Sequence, residues 1–181
     1  MLRCLAFSAT LLAAPALAQE SNRAGVESNR ADVIRGLCQK DGCDEFVLLD
    51  KQPVARGPDG SLYRTRVRTY HASARGRADG GEESGFVYCS PVRPAIINAP
   101  AGQPPTAFML APDEQAPAYV QRKTTNFYTL YFALCHGPEA GRAASRDREG
   151  TARSFDYRVP LKQARTVTLK RVEDVLGPPN G

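Results

Sequence analysis

Four cysteines that follow an N-terminal export signal constrain this chain more than any other feature of its sequence. Residues 1–18 hold a basic residue, Arg3, then an apolar stretch, and close on the small-x-small pattern that signal peptidase cleaves. Cleavage after Ala18 removes Cys4 and leaves an even number of cysteines: Cys38, Cys43, Cys89 and Cys135. Because exported proteins meet an oxidising compartment, the sequence predicts a periplasmic or extracellular protein with two disulfide bonds.

Four cysteines allow three pairings, and the local sequence favours one of them. Cys38 and Cys43 enclose four residues, among which Gly42 gives the backbone room to turn. Cys89 and Cys135 each end an apolar segment, so a bond between neighbouring strands would close a loop of about 45 residues. On the chain-entropy argument, a disulfide that closes such a loop stabilises the folded protein by roughly 4 kcal/mol. We therefore predict the pairs Cys38–Cys43 and Cys89–Cys135, with the crossed pairings left open.

The length of the chain suggests a single domain, and its net charge is modest. The chain has 181 residues and a formal net charge of +5, and nineteen of its 24 basic residues are arginine. This charge gives no specific signal for nucleic acid, and after residue 18 no apolar run approaches the roughly 20 residues of a membrane span. We predict a disordered tail with a heptapeptide repeat over 19–30, one domain over 31–177 and a short tail over 178–181.

Short strands separated by turn residues predict a mostly β fold. The expected architecture is one small antiparallel sheet, barrel or sandwich with a short N-terminal helix. Ser28 is placed to cap that helix, which would end near Gly42. An α+β fold is the alternative, because residues 20–40 and 162–176 both have helical features.

The individual segments carry different signals. A strand at 61–71 and another at 85–89 predict a long hairpin whose 72–85 segment is a flexible tip. The proline-rich stretch 91–117 predicts extended coil interrupted by two short strands. The remaining expectations are a strand at 46–49, a turn at 57–60, a central core strand at 124–135, a mobile loop at 137–153, strands at 155–161 and 166–169, and a helical turn at 172–176.

An arginine-rich strand is the most distinctive surface feature. Arg64, Arg66 and Arg68 occupy alternate positions, so on a strand they line one face about 7 Å apart. Tyr70, Arg75 and Arg77 extend the row. Guanidinium groups in this arrangement suit an anionic envelope component or an acidic protein. The plainer interpretation is a solvated face whose arginines meet cross-strand acids such as Glu82 or Glu83.

No pattern in the sequence predicts a catalytic, metal or cofactor site. The acids Asp41, Asp44, Glu45 and Asp50 do not follow the spacing of a calcium-binding loop. Cys135 and His136 are adjacent, which on a strand turns their side chains to opposite faces. With His71, they are the only candidates for an enzyme of unrecognised type.

Three functional hypotheses follow. The first is a non-enzymatic binding or accessory protein that contacts an anionic partner through Arg64, Arg66, Arg68, Tyr70, Arg75 and Arg77. The second is an envelope-associated structural protein that docks through its proline-rich segment. The third is the enzyme just described, which requires a free thiol or a histidine with a shifted pKa.

Overall fold

The computed structural model describes residues 32–113, 118–159 and 161–177. The expected signal peptide at 1–18 and the tails at 19–30 and 178–181 lie outside these described residues. The same holds for Ser28, the predicted start of the N-terminal helix.

Seven strands form one antiparallel sheet in which each strand pairs with the next along the chain. They are β1 (Val33–Gln39), β2 (Gly42–Gly57), β3 (Gly60–Ser73), β4 (Gly76–Cys89), β5 (Ala95–Asn98), β6 (Thr106–Met109) and β7 (Arg165–Thr168). The predicted mostly β fold with a single antiparallel sheet is therefore confirmed. The turn at 57–60 is also confirmed, since Gly57 pairs with Gly60 across a two-residue connection.

Three α-helices separate β6 from β7. They are α1 (Ala118–His136), α2 (Pro138–Arg146) and α3 (Arg148–Ser154). Among the described residues no helix is both long and apolar enough to span a membrane. A 3₁₀ turn at Val172–Leu176 closes the described chain, and it confirms the helical turn predicted there.

The central strand predicted at 124–135 is wrong, because this segment belongs to α1. Tyr128, Tyr131 and Phe132 are buried and Cys135 is partly buried, a spacing of i, i+3, i+4 and i+7 along a helix. Leu130 and Leu134 also pack inward, which makes the helix apolar around much of its circumference. Aromatic and β-branched content favours strands only weakly, and here burial of a wide helical face decides the structure.

The mobile loop predicted at 137–153 is also wrong, because α2 and α3 occupy it. Small residues replace large apolar ones on the buried face of α2. A Cβ on Gly141 would lie 2.7 Å from the Ala133 side chain and 2.9 Å from the Thr129 carbonyl oxygen. The two helices therefore pack backbone to backbone, and a segment rich in Ala, Gly and Arg is helical because small residues allow that contact.

Three further expectations need correction. The described part of the predicted N-terminal helix is not helical, because residues 33–39 form β1, which pairs with β2. The flexible tip at 72–85 is instead a continuation of β3 and β4, which leaves a turn of only two residues. The described residues of the predicted strand 155–161 form no strand, and the chain makes a turn at Asp156, whose φ is 57°. In each case long-range pairing or packing overrides a local pattern.

The sheet has a core on each face. On one face α1 packs over Val67 and Val87 in the main core. On the other face the C-terminal turn covers Leu62, Tyr88 and Ile97 in a smaller core. Even-numbered residues of β3 share the second face, so Arg64, Arg66 and Arg68 continue from Leu62 into the part that the turn does not cover.

The same cysteine pairs that the sequence favours lie at bonding distance. The Sγ–Sγ distance is 2.10 Å for Cys38 and Cys43 and 2.03 Å for Cys89 and Cys135. The first pair closes the β1–β2 hairpin, and the second joins the end of β4 to the end of α1. Two disulfide bonds are typical of proteins in oxidising compartments outside the cytoplasm.

Candidate functional site

The arginine ladder, Arg64, Arg66 and Arg68, lies on an exposed sheet face beside carboxylates. Arg68 forms an ion pair with Asp79 and lies 4.0 Å from Glu82. Arg66 lies 3.8 Å from Glu82, whereas Arg64 donates a 2.7 Å hydrogen bond to the side chain of Gln52. The Arg68 guanidinium lowers the pKa of Asp79 to about 2. Acids on β4 therefore offset much of the positive charge of this ladder.

Two residues of the predicted binding row have structural partners instead. Arg77 stacks on Tyr70 at 3.6 Å from the ring centroid, and its Nε lies 2.9 Å from a Glu45 carboxylate oxygen. Glu45 is fully buried, and its other oxygen accepts a 3.0 Å hydrogen bond from Arg35. Arg75 sits in the exposed hairpin turn. The six predicted residues lie along one hairpin, but Tyr70 and Arg77 are held against a buried acid.

A separate pair of arginines lines a cleft of about 440 Å³ on the same side of the sheet. Met109 and Arg165 are cross-strand partners of β6 and β7, and both face this cleft. Arg93 lies at its other side. We call it the C-terminal cleft, and its lining is Arg93, Met109, Gln163, Arg165, Val167, Leu169, Asp174 and Val175.

The local backbone holds Arg93 in place. A Cβ on Gly177 would lie 2.5 Å from Arg93 Nη1, so the guanidinium lies directly over a glycine. Gly177 also has a φ of 89°, which favours glycine for a second reason. The Ser90 Oγ accepts the backbone N–H of Arg93 at 3.0 Å. Arg93 is thereby half-buried at the wall of the cleft.

The charges in this cleft are not balanced among themselves. Asp174 is the one acid among the described lining residues, and it accepts the Arg171 N–H at 3.0 Å while lying 3.8 Å from the Arg171 guanidinium. Within the described residues neither Arg93 nor Arg165 forms an ion pair with a carboxylate. Two guanidinium groups therefore face an apolar surface formed by Val167, Leu169 and Val175.

The cysteine and histidine of the enzyme hypothesis do not form a nucleophile and base. Cys135 is bonded to Cys89, so it offers no thiolate. His136 Nε2 lies 2.8 Å from the Tyr157 hydroxyl, which lies 2.9 Å from the Tyr131 hydroxyl. Burial raises the pKa of Tyr157 to about 12, so this hydroxyl stays protonated at neutral pH. The network connects α1 to the loop that holds Tyr157, and it contains no free thiol for His136 to activate.

His71 instead takes part in a polar contact that ties α1 to the sheet. Its Nδ1 lies 3.0 Å from Asp44, and the other Asp44 oxygen accepts a 2.7 Å hydrogen bond from Asn126 on α1. The Asn126 carbonyl accepts the Leu37 N–H at 2.7 Å. A Cβ on Gly36 would lie 2.4 Å from that carbonyl oxygen, so the glycine leaves space for it.

The two histidines are expected to give opposite pH dependences of stability. The hydrogen bond with Asp44 raises the pKa of His71, so its stabilisation is full below about pH 6.5 and is lost as pH rises through the folded-state pKa. Desolvation, with the nearby Lys51 charge, lowers the pKa of His136. Its stabilisation is full above about pH 6.5 and is lost as pH falls toward the folded-state pKa.

Thermal unfolding between about pH 5.5 and 8.5 tests this prediction. The difference in Tm between wild type and His71→Gln should shrink as pH rises, and the difference for His136→Gln should shrink as pH falls. Parallel differences for the two variants would contradict the assignment.

No protein-family model, curated protein or solved structure compared with the chain matches it. The candidate site therefore depends on the chemistry of its own residues. Sequence analysis missed Arg93 and Arg165, which are 72 positions apart. Arg93 lies between Pro91 and Pro94, and Arg165 is the first residue of β7. No local sequence pattern connects these two positions. The sheet order brings β5, β6 and β7 side by side and so brings both arginines to one cleft.

Proposed function

We propose that this is a non-enzymatic binding protein, exported to the periplasm or outside the cell, whose C-terminal cleft holds a small ligand with an apolar body and a carboxylate. The observation that carries this proposal is the pair Arg93 and Arg165, neither of which has a carboxylate partner in the described residues, above an apolar surface. A guanidinium presents a planar set of donors that matches a carboxylate.

The size and lining of the cleft support a small ligand. Its volume of about 440 Å³ falls within the usual range of ligand sites, roughly 300–1,000 Å³. Most such sites combine an apolar surface with a few polar groups that set orientation. Here Met109, Val167 and Leu169 supply the apolar surface and Gln163 adds an amide beside the two arginines.

The arginine ladder remains the alternative location for an anion. Arg64 supports it, because its guanidinium is exposed and bonds a neutral amide. Against it, Arg66 and Arg68 lie within 4.0 Å of Glu82, and an incoming anion would have to compete with that carboxylate. The C-terminal cleft needs no such displacement, and so we favour it.

Titration with octanoate, and with octanol as the uncharged control, tests the proposal. In ¹H–¹⁵N spectra we expect octanoate to shift the amides of Val167, Leu169 and Val175, with octanol binding more weakly. A charged hydrogen bond contributes about 1.5–3 kcal/mol, so Arg93→Gln or Arg165→Gln should weaken octanoate binding by roughly tenfold or more.

The matched control is Arg66→Gln, which removes a guanidinium from the ladder and should leave octanoate affinity unchanged. If octanol bound as tightly as octanoate, or if both cleft variants retained wild-type affinity, the proposed site would be wrong. Loss of octanoate binding in Arg64→Gln alone would place the anion on the ladder instead.

A further inference from the structure

The outer side of β4 has an open edge over most of its length. β4 pairs with β5 only through Phe86, Val87 and Tyr88. Within the described residues no strand lies beside Gly76–Gly85 on that side. A bulge at Gly80 interrupts the ladder, which leaves Gly81–Gly85 as a regular segment whose outward backbone groups have no strand partner.

An apolar groove of about 500 Å³ adjoins this edge, between α1 and strands β3 to β6. We call it the edge groove, and its apolar side chains include Val67, Ile96, Phe108, Phe127, Leu130 and Leu134. Phe127 is 39% exposed, although its ring lies 5.5 Å from that of Phe108. Gly85 has no side chain and its ladder partner Thr65 has a small one, which leaves space in the groove.

The charge along this edge is acidic. Glu83 lines the edge groove, is exposed and has no ion pair among the described residues. It is the cross-strand partner of Val67, so its side chain leaves the sheet on the face that α1 covers. Glu82 and Asp79 belong to the opposite face, where they meet Arg66 and Arg68. Glu83 is therefore the carboxylate available to a molecule in the groove.

We propose that an extended segment of a partner protein adds a strand to β4 at Gly81–Gly85, placing a Lys or Arg beside Glu83 and an apolar side chain in the edge groove. Strand addition supplies backbone hydrogen bonds, and pockets for alternate side chains supply specificity. A second copy of this chain fits poorly, because antiparallel pairing of two Gly81–Gly85 segments would place Glu83 opposite Glu83. A basic strand has the complementary charge.

A peptide with the required alternation is the probe. In Thr-Lys-Thr-Phe-Thr-Val-Thr, blocked at both ends, the Lys, Phe and Val side chains share one face of a strand. Comparison peptides carry Glu in place of Lys, or N-methyl groups at alternate residues. On the oxidised full-length protein we expect the Lys peptide to slow amide exchange within Gly81–Gly85 and the N-methylated peptide to leave it unchanged.

Charge variants identify the contact. The Lys peptide should bind about two- to fivefold more tightly than the Glu peptide, as for an exposed ion pair, and Glu83→Lys should invert that order. Phe127→Ser should weaken both peptides by roughly tenfold if the groove takes the apolar side chain. Asp59→Lys reverses an exposed charge in the β2–β3 turn and serves as the matched control, with no change in order expected.

Three outcomes would overturn the proposal. One is a peptide affinity that neither Glu83→Lys nor Phe127→Ser changes. Another is unaltered exchange at Gly81–Gly85 in saturated samples. The third is a dimer in sedimentation equilibrium whose protected amides fall on Gly81–Gly85. Cooperative thermal unfolding checks that each variant is folded. Octanoate titration of the C-terminal cleft is measured separately, so failure of one site does not imply failure of the other.

Discussion

Replacing Glu45 with alanine is expected to lower the free energy of unfolding by about 3–5 kcal/mol, because it leaves a largely buried guanidinium without its counter-ion. Glu45 is fully buried, and the Arg77 side chain is only 13% exposed. The Arg77 Nε lies 2.9 Å from the carboxylate in an ion pair whose N–H is not aligned for a hydrogen bond. The Arg77–Glu45 interaction is therefore mainly electrostatic attraction, and solvent screens it little.

Urea unfolding of the Glu45→Ala variant measures this effect, and the Glu82→Ala variant is the matched control. Glu82 pairs with Arg66 and Arg68 at 3.8 and 4.0 Å but is 45% exposed, so its removal should cost less than about 1 kcal/mol. A variant lacking both Glu45 and Arg77 should recover part of the loss, since no buried charge is then left unpaired. Equal effects of Glu45→Ala and Glu82→Ala would contradict a buried ion cluster.

Removing the disulfide between Cys89 and Cys135 is expected to cost about 4 kcal/mol on the chain-entropy argument. The bond spans a sequence separation of 46 residues, so its loss frees a long stretch of the unfolded chain. It also joins β4 to the end of α1, beside the main core. The double variant Cys89→Ala/Cys135→Ala avoids incorrect pairing, and urea unfolding without reductant gives the change.

The second disulfide supplies the control. Cys38 and Cys43 are separated by only five positions, and the same relation gives about 2 kcal/mol for the Cys38→Ala/Cys43→Ala variant. If the two double variants lost equal stability, loop length would not explain the stabilisation.

Local signals located all or part of β2 to β7, but they missed β1 and assigned a strand to the helical segment 124–135. Alternating residues and turn glycines placed β3 and the end of β4, and the two short strands predicted within 91–117 match β5 and β6. These predictions succeed because alternation and turn chemistry act over a few residues.

The helical layer shows where local signals fail. Propensity assigned α1 to a strand, and composition assigned α2 and α3 to a loop. A helix buried on a wide face has no clear 3.6-residue pattern, and packing between Ala133 and Gly141 depends on small residues that look like loop composition. Only the assembled sheet shows which face each residue covers.

The candidate sites follow the same division. The sequence by itself indicated β3, the end of β4, the short strands β5 to β7 and the closing turn at Val172–Leu176, as well as the pairing of the four cysteines. The expectation that the ladder meets a cross-strand acid such as Glu82 is confirmed. Tertiary structure alone decided that Arg77 pairs with Glu45 and that Arg93 and Arg165 share a cleft. Local geometry depends on neighbours in the chain, whereas charge compensation and a binding cleft depend on distances between residues that only the folded sheet brings together.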